Sequence, residues 1–524
     1  MKVRIFITKL IQYSALGLLW SYSNIGYPLE FLSWIAFVPF LFFIRKEKTG
    51  QGVVFSLVFG LSFYMAHLTW MPAAFSAFFS DGGNHIIMTA VGLLVTVVFS
   101  LYHGFIYVLI FILLRFFERR FNEKVFYPLI PAIVTVLDFI YPKFWFDRIG
   151  YAAHHLLALI QAADLFGVPY LTFLIIACNT SILVLLESRL KKDKTLYTIT
   201  FSSIFLLLMG ASFLYGEFRI KEIDAIASTS PKAVIGVVQG NFSGLDKRDD
   251  RMLDIMIRTY NSLSSKLARQ SPDLIVWPES SDPHYYDIVR QDYSQMKKFA
   301  APLIFGTHLY EGTDENGNFE KVYNSLVLLS KDGSKIDHYR KRKLLPFIEG
   351  FPIRRLNFVM RWYGFDNFSP GTGYKILRLN NLKIAPDICY EDIIPSYIRK
   401  SIYVDGVSAN ILINATNNSW FGRSSEPYIH YAISKFRAIE NRRTYASATC
   451  TGYSSIFDPS GRELYKSGLF TRESVAMKVP LVTIKTLFER GGWLFSYILA
   501  IFLAAIAIVS FIKPGFGHRR DDRS

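Results

Sequence analysis

The sequence predicts a two-part protein, a multi-span α-helical membrane bundle with about eight transmembrane helices and a separate α/β domain. Hydrophobic residues make up 51% of the 524 residues and aromatic residues 16%, which is high for a soluble protein. Eight long apolar runs account for this composition, seven before residue 216 and one near the C-terminus. Between the seventh and eighth runs, short β-branched runs alternate with polar helical patterns, which favours an α/β sheet.

The apolar runs approach the roughly 20 residues that a helix needs to cross a bilayer, although the first two are short. The fifth run is interrupted by Pro128 and Pro131 and carries Asp138, so it fits a span least well. The basic N-terminus resembles a signal peptide, but no small-residue cleavage site follows, which indicates an uncleaved first helix. In chain order the runs are 10–20, 31–44, 53–70, 86–114, 125–141, 165–186, 196–215 and 493–512.

The positions of Lys and Arg predict the orientation of the helices. If the N-terminus is cytoplasmic and the runs cross alternately, the outer loops 23–30 and 73–85 hold no basic residue, and 142–163 holds only Lys143 and Arg148. This agrees with the positive-inside rule, and it predicts cytoplasmic termini with residues 217–490 outside. Because the net charge of +16 lies mostly on cytoplasmic segments, it reflects topology and argues against nucleic-acid binding. These segments, 1–10, 45–50, 115–124, 187–195 and 513–524, hold 18 Lys and Arg.

Three domains follow from this pattern. Residues 1–220 form the first seven transmembrane helices, 221–485 an extracytoplasmic α/β domain, and 486–524 the eighth helix with a basic cytoplasmic tail. Residues 221–231 are predicted to be a linker. The predicted strands of the α/β domain are 234–238, 274–277, 303–306, 325–329, 411–413 and 445–448, and its predicted helices are 249–269 and 426–441.

The most informative stretch of the α/β domain is an apolar run that ends at Cys389. A helix-like segment, 392–402, follows, and a cysteine just before a helix N-terminus lies where the helix dipole favours the thiolate. The thiolate is the nucleophilic form, so Cys389 is a candidate for covalent catalysis. The structural alternative is a small buried hydrophobe at a strand end. With Cys178 in an apolar run and only Cys450 left as a partner, a disulfide framework is not supported.

Two more reactive groups follow strands of the same domain, Glu279 after 274–277 and Lys341 in a basic loop after the strand at 325–329. Sites in open α/β sheets gather at strand ends. A thiol can attack a carbonyl, a carboxylate can move its proton, and an ammonium can stabilise the oxyanion. Taken singly, Glu279 could also cap the next element, and Lys341 could lie on a solvated loop.

Three ordered motifs surround these residues: Trp277-Pro278-Glu279, Tyr339-x-Lys341-x-x-Leu344-x-Pro346-Phe347-x-Glu349 and Ile388-Cys389-Tyr390-Glu391. They resemble the motifs of the nitrilase, or carbon–nitrogen hydrolase, superfamily, and shorter matches lie at 238–241, 323–325, 417–422 and 437–441. With its eight predicted spans as well, the chain resembles one branch in particular, the apolipoprotein N-acyltransferase family.

The resemblance implies a nitrilase-like αββα sandwich and a Glu-Lys-Cys triad, with no cofactor and no metal. Glu279 corresponds to the general base, Lys341 to the oxyanion-stabilising lysine and Cys389 to the nucleophile. The supporting residues are Glu349, which orients Lys341, Tyr390 and Glu391 beside the nucleophile, and Asn324 and Trp420 near the site.

The activity implied by the resemblance is transfer of an acyl chain from a phospholipid, through a cysteine thioester, to the α-amine of the N-terminal diacylglyceryl-cysteine of apolipoproteins. The implied partners are the phospholipid, the diacylglyceryl-modified apolipoprotein and the membrane. The implied location is the inner membrane of a diderm bacterium, with the catalytic domain in the periplasm. Two alternatives stay open: a membrane-anchored amidase or nitrilase that hydrolyses a small amide, and a non-catalytic module that binds lipids or lipoproteins.

The sequence departs from the family pattern at two places. Ile348 stands where the lysine motif usually has glycine, with Gly350 two places later, and an aromatic residue is missing near Lys247 and Arg248. The aromatic loop 347–363 is predicted to form a lid that dips into the membrane surface.

Three histidine sites and one acid lie outside these motifs. His154 and His155 are adjacent, but a metal site needs further ligands and none is evident in the sequence, which favours an interfacial or packing role. His67 and His103 lie in apolar runs and are expected to be satisfied by neighbouring helices, while Asp138 is either functional or part of an interfacial run.

Overall fold

The computed structural model describes residues 2–79, 85–145, 147–191, 196–350 and 368–512. The chain divides into two compact units. The first, called the helical unit, comprises Met1–Ile220, Ser424–Ile429 and Leu487–Ser524. The second, called the α/β unit, comprises Lys221–Arg423 and His430–Thr486.

The α-helices of the described chain are numbered here in chain order. They are α1 (Lys2–Tyr22), α2 (Val38–Ile44), α3 (Thr49–His67), α4 (Met71–Phe79), α5 (His85–Arg120), α6 (Glu123–Ile140), α7 (Leu157–Ile160), α8 (Ala163–Phe166), α9 (Val168–Leu190), α10 (Leu196–Thr229), α11 (Asp250–Ala268), α12 (Pro395–Ser401), α13 (Glu426–Asn441), α14 (Leu487–Arg490) and α15 (Phe495–Ile512). Short 3₁₀ turns include Glu30–Trp34, Ile149–Ala153 and Gly492–Leu494.

Within the described residues, five helical stretches are long and apolar enough to cross a membrane. They correspond to the third, fourth, sixth, seventh and eighth predicted runs. The five are Thr49–His67, His85–Arg120, Val168–Leu190, Leu196–Thr229 and Gly492–Ile512.

The other three predicted runs have different structures. Helix α1 has the length of a span, but its basic and polar positions make it less apolar. The second run is divided between the 3₁₀ turn Glu30–Trp34 and α2, whose seven residues extend only about 10 Å. Helix α6 contains three charged residues and two internal prolines. The structure therefore supports five of the eight predicted spans.

Helices α3 and α5 pack with their backbones unusually close together. A Cβ atom built on Gly60 would lie 2.2 Å from the carbonyl oxygen of Gly104, so only glycine fits at this crossing. Small residues allow this kind of close approach between helices in membranes. Nearby, the indole N–H of Trp20 on α1 donates to the Tyr107 hydroxyl on α5 at 2.8 Å, which ties a third helix to the pair.

The α/β unit contains fifteen described strands in two larger sheets and one small ribbon. They are β1 (Lys232–Gln239), β2 (Leu274–Val276), β3 (Tyr285–Asp287), β4 (Leu303–Thr313), β5 (Phe319–Leu329), β6 (Lys335–Arg340), β7 (Leu377–Leu379), β8 (Leu382–Ile388), β9 (Tyr403–Val404), β10 (Val407–Ser408), β11 (Ile411–Thr416), β12 (Thr444–Thr449), β13 (Ser455–Phe457), β14 (Glu463–Lys466) and β15 (Glu473–Pro480).

The first sheet has the strand order β15-β1-β2-β4-β5-β6, with β3 beside β4, and the second has the order β14-β13-β12-β11-β8-β7. Strands β1, β2 and β4 run parallel, as do β8, β11 and β12. The register pairs Ile235 with Leu274 in the first sheet and Ile384 with Ile411 in the second. Each sheet thus has a parallel centre, and the loops after its parallel strands emerge at one edge.

The two sheets face each other across an apolar core, and helices cover their outer faces. Alternate residues such as Ile235 and Ile413 point into the shared core, as the two-residue period of a strand requires. Tyr260 of α11 packs on the outer face of the first sheet against Trp277. Tyr431 of α13 packs on the second sheet against Phe457. The layers are therefore helix, sheet, sheet and helix, which is the αββα order that the resemblance implies.

The prediction of a linker at 221–231 is wrong for most of this segment. Helix α10 continues through Thr229, because Lys221, Glu222 and Ala225 are good helix formers and no glycine or proline intervenes before Pro231.

Candidate active site

Three loops that follow strands carry the predicted triad. Glu279 lies three residues after β2, Lys341 directly after β6, and Cys389 directly after β8. The Lys341 backbone N–H donates to the Asn324 carbonyl at 2.8 Å, which extends the β5–β6 pairing into the lysine loop.

The Glu279 carboxylate is enclosed by hydrogen-bond donors. Its Oε1 accepts from Lys341 Nζ at 3.1 Å and from Asn324 Nδ2 at 2.7 Å, and its Oε2 accepts from the Asn417 backbone N–H at 2.8 Å. The residue is only 5% exposed. Burial raises the pKa of Glu279, but the charges and hydrogen bonds of Lys341, Asn324 and Lys247 outweigh it and hold that pKa below its usual value. Glu279 is therefore an ionised carboxylate that can accept a proton at neutral pH.

The Lys341 ammonium lies between two carboxylates. Its Nζ is 3.1 Å from Glu279 Oε1, 2.9 Å from Glu349 Oε1 and 2.8 Å from Glu349 Oε2. Burial lowers the pKa of Lys341, but Glu279, Glu349 and the sulfur of Cys389 outweigh that effect and raise it. Lys341 is thus a buried positive charge held between two carboxylates.

Glu349 and Asn324 hold this arrangement in place. Asn324 Nδ2 donates to Oε1 of both carboxylates, at 2.7 Å for Glu279 and 2.9 Å for Glu349. The other oxygen of Glu349 accepts from the Leu345 backbone N–H at 2.8 Å. One amide side chain therefore sets the separation of the two acids that flank Lys341.

Ile348 fits at the usual glycine position because the residue with a strained backbone in this turn is Phe347. Phe347 has a positive φ of 67°, and its N–H donates to the Gly350 carbonyl at 2.9 Å. Glu349 N–H donates to the Leu345 carbonyl at 3.0 Å. Since Ile348 itself does not have a positive φ, it needs no glycine, and Glu349 still reaches Lys341. Residues 351–363 of the predicted lid lie outside the described residues.

Cys389 occupies a strained turn at the end of β8. Its φ is 50°, a left-handed conformation that costs a non-glycine residue about 1–3 kcal/mol and clusters at functional sites. A 3₁₀ turn, Cys389–Glu391, follows, and α12 begins only at Pro395, where proline is favoured in a first helical turn. The helix predicted at 392–402 therefore begins later than expected, and Cys389 does not lie directly before its N-terminus.

Glu391 joins the cysteine turn to the lysine loop. Its carboxylate accepts backbone N–H donors from Ile388 at 2.9 Å, Arg342 at 2.8 Å and Lys343 at 2.9 Å. The Tyr339 hydroxyl contacts both of its oxygens at 2.8 Å. Burial raises the pKa of Glu391 despite these donors. Glu391 thus positions the loops that carry Cys389 and Lys341.

The remaining predicted supporting residues lie close to the same loops. Tyr390 is almost buried, and burial raises its pKa, so its phenol is neutral. Trp420 lies against Gly244, where a Cβ atom would be 2.1 Å from the indole ring. The Arg248 guanidinium is 5.5 Å from the same ring, so a cation–π contact occupies the region of the missing aromatic residue.

Two groups near Glu279 were not predicted as site residues. Lys247 Nζ donates to the Glu279 carbonyl oxygen at 2.9 Å and lies 3.0 Å from Cys450 Sγ. Asn417 contributes its backbone N–H. The identities of side chains do not indicate a backbone donor, even though residues 417–422 match a family motif. Lys247 is a basic residue in a polar loop, and nothing in its local sequence distinguishes it from a solvated lysine.

The contact of Lys247 with Glu279 gives a testable pH dependence. The positive charge of Lys247 helps to lower the pKa of Glu279 below its ordinary value of 4.5, so the carboxylate stays ionised into acidic solution. Lys247→Met is expected to raise that pKa and move the acid limb of kcat/KM to higher pH. The exposed Lys298→Met is the matched control, and identical limbs in both variants would contradict this role for Lys247.

Both parts of the chain match known protein families. Residues 16–181 match the apolipoprotein N-acyltransferase N-terminal domain, and residues 237–487 match the carbon–nitrogen hydrolase family. The apolipoprotein N-acyltransferase of Geobacter metallireducens is 29% identical over 93% of this chain and 92% of its own length. That of Rickettsia typhi is 27% identical over 87% of this chain and 90% of its own length.

Among solved structures, Saccharomyces cerevisiae Nit3, a member of branch 10 of the nitrilase superfamily, is 18% identical with a TM-score of 0.36, covering 50% of this chain and 93% of its own. The two family matches follow each other in order, and the relatives match nearly the full length. The chain belongs to the apolipoprotein N-acyltransferase family and is a membrane enzyme with a carbon–nitrogen hydrolase domain.

Proposed function

We propose that this chain transfers an acyl chain from a phospholipid, through a thioester on Cys389, to the α-amine of the N-terminal diacylglyceryl-cysteine of an apolipoprotein. The observation that carries the proposal is the buried Glu279–Lys341–Glu349 cluster, whose lysine loop is joined through Glu391 to the turn of Cys389, in a chain that also has an N-acyltransferase N-terminal domain. Neither feature alone would distinguish an acyltransferase from a hydrolase.

In the first half-reaction Glu279 accepts the thiol proton of Cys389, and the thiolate attacks the carbonyl carbon of the phospholipid ester. The new S–C bond converts the carbonyl oxygen to an oxyanion, which the Lys341 ammonium stabilises. The C–O ester bond then breaks, and Glu279 returns the proton to the leaving lysophospholipid oxygen. The product is an acyl thioester on Cys389.

In the second half-reaction the neutral α-amine of the acceptor attacks the thioester carbonyl. Glu279 takes a proton from the attacking nitrogen, Lys341 again stabilises the oxyanion, and the S–C bond breaks. The Cys389 thiolate leaves and regains the proton from Glu279, and an amide-linked acyl chain remains on the acceptor. Both halves use the same three side chains, as a ping-pong transfer requires.

The proposed location is the inner membrane of a diderm bacterium. The low content of Lys and Arg in the predicted outer loops supports cytoplasmic termini and an α/β unit in the periplasm. A donor that resides in the bilayer also accounts for several apolar helices where one would suffice as an anchor.

The acceptor distinguishes this proposal from an anchored amidase or nitrilase. Purified full-length chain is incubated with phospholipid labelled in its acyl chains and with a diacylglyceryl-cysteine peptide. The matched control acceptor is the same peptide with its α-amine acetylated. Labelled peptide is expected only with the free amine. Equal release of free fatty acid with both peptides, and no labelled peptide, would show that water is the acceptor and would overturn the proposal.

A further inference from the structure

Two loops that are far apart in the sequence bring three metal-binding side chains together in the helical unit. Glu30 begins the 3₁₀ turn Glu30–Trp34, and His154 and His155 follow the 3₁₀ turn Ile149–Ala153. One ligand atom from each of the three side chains lies within 4.8 Å of the others. None of the three residues takes part in the proposed acyl transfer.

The spacing between His154 and Glu30 suits two ligands of a tetrahedral metal. His154 Nε2 is 3.2 Å from both carboxylate oxygens of Glu30, and His155 Nε2 contacts Oε1 of the same carboxylate. Zinc binds His nitrogen and carboxylate oxygen at about 2.0–2.2 Å, which places neighbouring tetrahedral ligand atoms roughly 3.3 Å apart. By comparison, the preferred N–H···O hydrogen-bond distance is about 2.9–3.0 Å. The His154 spacing is therefore closer to that of two ligands on one ion.

The site is enclosed on most sides and open on one. Glu30 and His154 are 8% and 2% exposed, while the His155 side chain is 54% exposed and leaves the site open on one side. The Tyr428 ring packs edge-on to His154 with centroids 5.8 Å apart, which shields that side from water.

We infer that Glu30, His154 and His155 form a zinc site with three protein ligands and a fourth position open on the exposed side of His155. Carboxylate and imidazole are ligands that Zn²⁺ accepts, and three protein ligands with one open position are a known zinc arrangement. The ion links two loops that are 124 residues apart in the sequence, 23–30 and 142–163, both predicted to lie outside the cytoplasm. This role replaces the packing role expected for the two histidines, and it differs from a metal-free ion pair in requiring zinc.

The test is zinc binding by the purified full-length chain in detergent. The chain is stripped with a chelator, dialysed and given ZnCl₂, and retained zinc is measured by elemental mass spectrometry. Roughly one zinc ion per chain is expected. Glu30→Gln and His154→Ala should each weaken zinc binding by more than the roughly 10–100-fold cost of changing a residue that only supports a metal ligand.

His338→Ala removes a half-buried imidazole from the α/β unit and is the matched control, which should bind zinc like the parent chain. The thermal unfolding midpoint, measured with and without zinc, separates lost binding from misfolding. Zinc should raise the midpoint of the parent and the control and leave that of Glu30→Gln unchanged. No retained zinc, or equal zinc affinity in Glu30→Gln and His338→Ala, would overturn the site and leave a salt bridge in its place.

Discussion

Cys389→Ala is expected to abolish acyl transfer. In the proposed reaction both half-reactions pass through the Cys389 sulfur. Cys178 lies on α9 of the helical unit. Cys450 Sγ lies 3.4 Å from the Glu279 carbonyl oxygen, but this thiol is fully buried and burial raises its pKa, so it is not expected to replace Cys389. Removing the nucleophile of a well-studied covalent hydrolase costs about 10⁶-fold in kcat. The measurement is the initial rate of transfer from phospholipid to the diacylglyceryl-cysteine peptide.

Cys178→Ala is the matched control for the loss of a thiol. It removes a thiol that lies far along the chain from the predicted site, so its transfer rate should equal that of the parent chain. Cys389→Ala is also expected to fold, because alanine is smaller and the turn is fixed by Glu391 rather than by the thiol. A folded Cys389→Ala variant that keeps more than a small fraction of the parent rate would refute the thioester.

Glu279→Gln is the second substitution with a large expected effect. Glutamine keeps the shape of the side chain and an oxygen for Asn324 or the Asn417 N–H, but it cannot accept the thiol proton. General acid–base catalysis contributes about 10²–10⁴-fold, and Glu279 moves a proton in both half-reactions. The loss should therefore lie near the upper end, about 10⁴-fold in kcat, which corresponds to roughly 5.5 kcal/mol of barrier.

Whether the substitution changes kcat or KM identifies the role of Glu279. A general base is expected to lower kcat with little change in KM, because the phospholipid still binds. Lys341 keeps Glu349 as its ion-pair partner, so the variant retains a paired buried ammonium. Glu279→Asp gives a useful comparison, since it keeps the charge but shortens the reach. If Glu279→Gln changed only KM, Glu279 would be a binding residue and the proton-transfer mechanism would fail.

The six predicted strands and the helices α11 and α13 follow from the sequence because their signals are local. Val234–Val238 and Ile411–Ile413 are β-branched runs within observed strands, and the helix predicted at 249–269 is observed as α11. The short apolar runs were harder to interpret. Apolar content alone does not reveal that the second run breaks into a 3₁₀ turn and a seven-residue helix. At this break the distant Asn179 of α9 accepts from the Phe37 backbone N–H at 3.0 Å and donates to the Ser33 carbonyl at 2.9 Å.

The candidate site likewise combines residues that the motifs reveal with contacts that form only in the fold. Motifs identified Glu279, Lys341 and Cys389, since their residue types and order along the chain carry the signal. The contact of Lys247 with the Glu279 carbonyl and the donation from Asn417 N–H arise only when distant loops fold together. For the same reason, the sequence alone does not indicate a third ligand for His154 and His155, because Glu30 is more than 120 residues away in the chain.

The central claim is a covalent acyl-enzyme, and intact-protein mass spectrometry tests it most directly. The purified chain is incubated with phospholipid in the absence of an acceptor. A mass gain of one acyl group is expected in the parent chain and in Cys178→Ala, but not in Cys389→Ala. Adding the diacylglyceryl-cysteine peptide should remove the added mass. The absence of an adduct, or an adduct that water alone discharges equally fast, would contradict the acyltransferase and favour an anchored hydrolase.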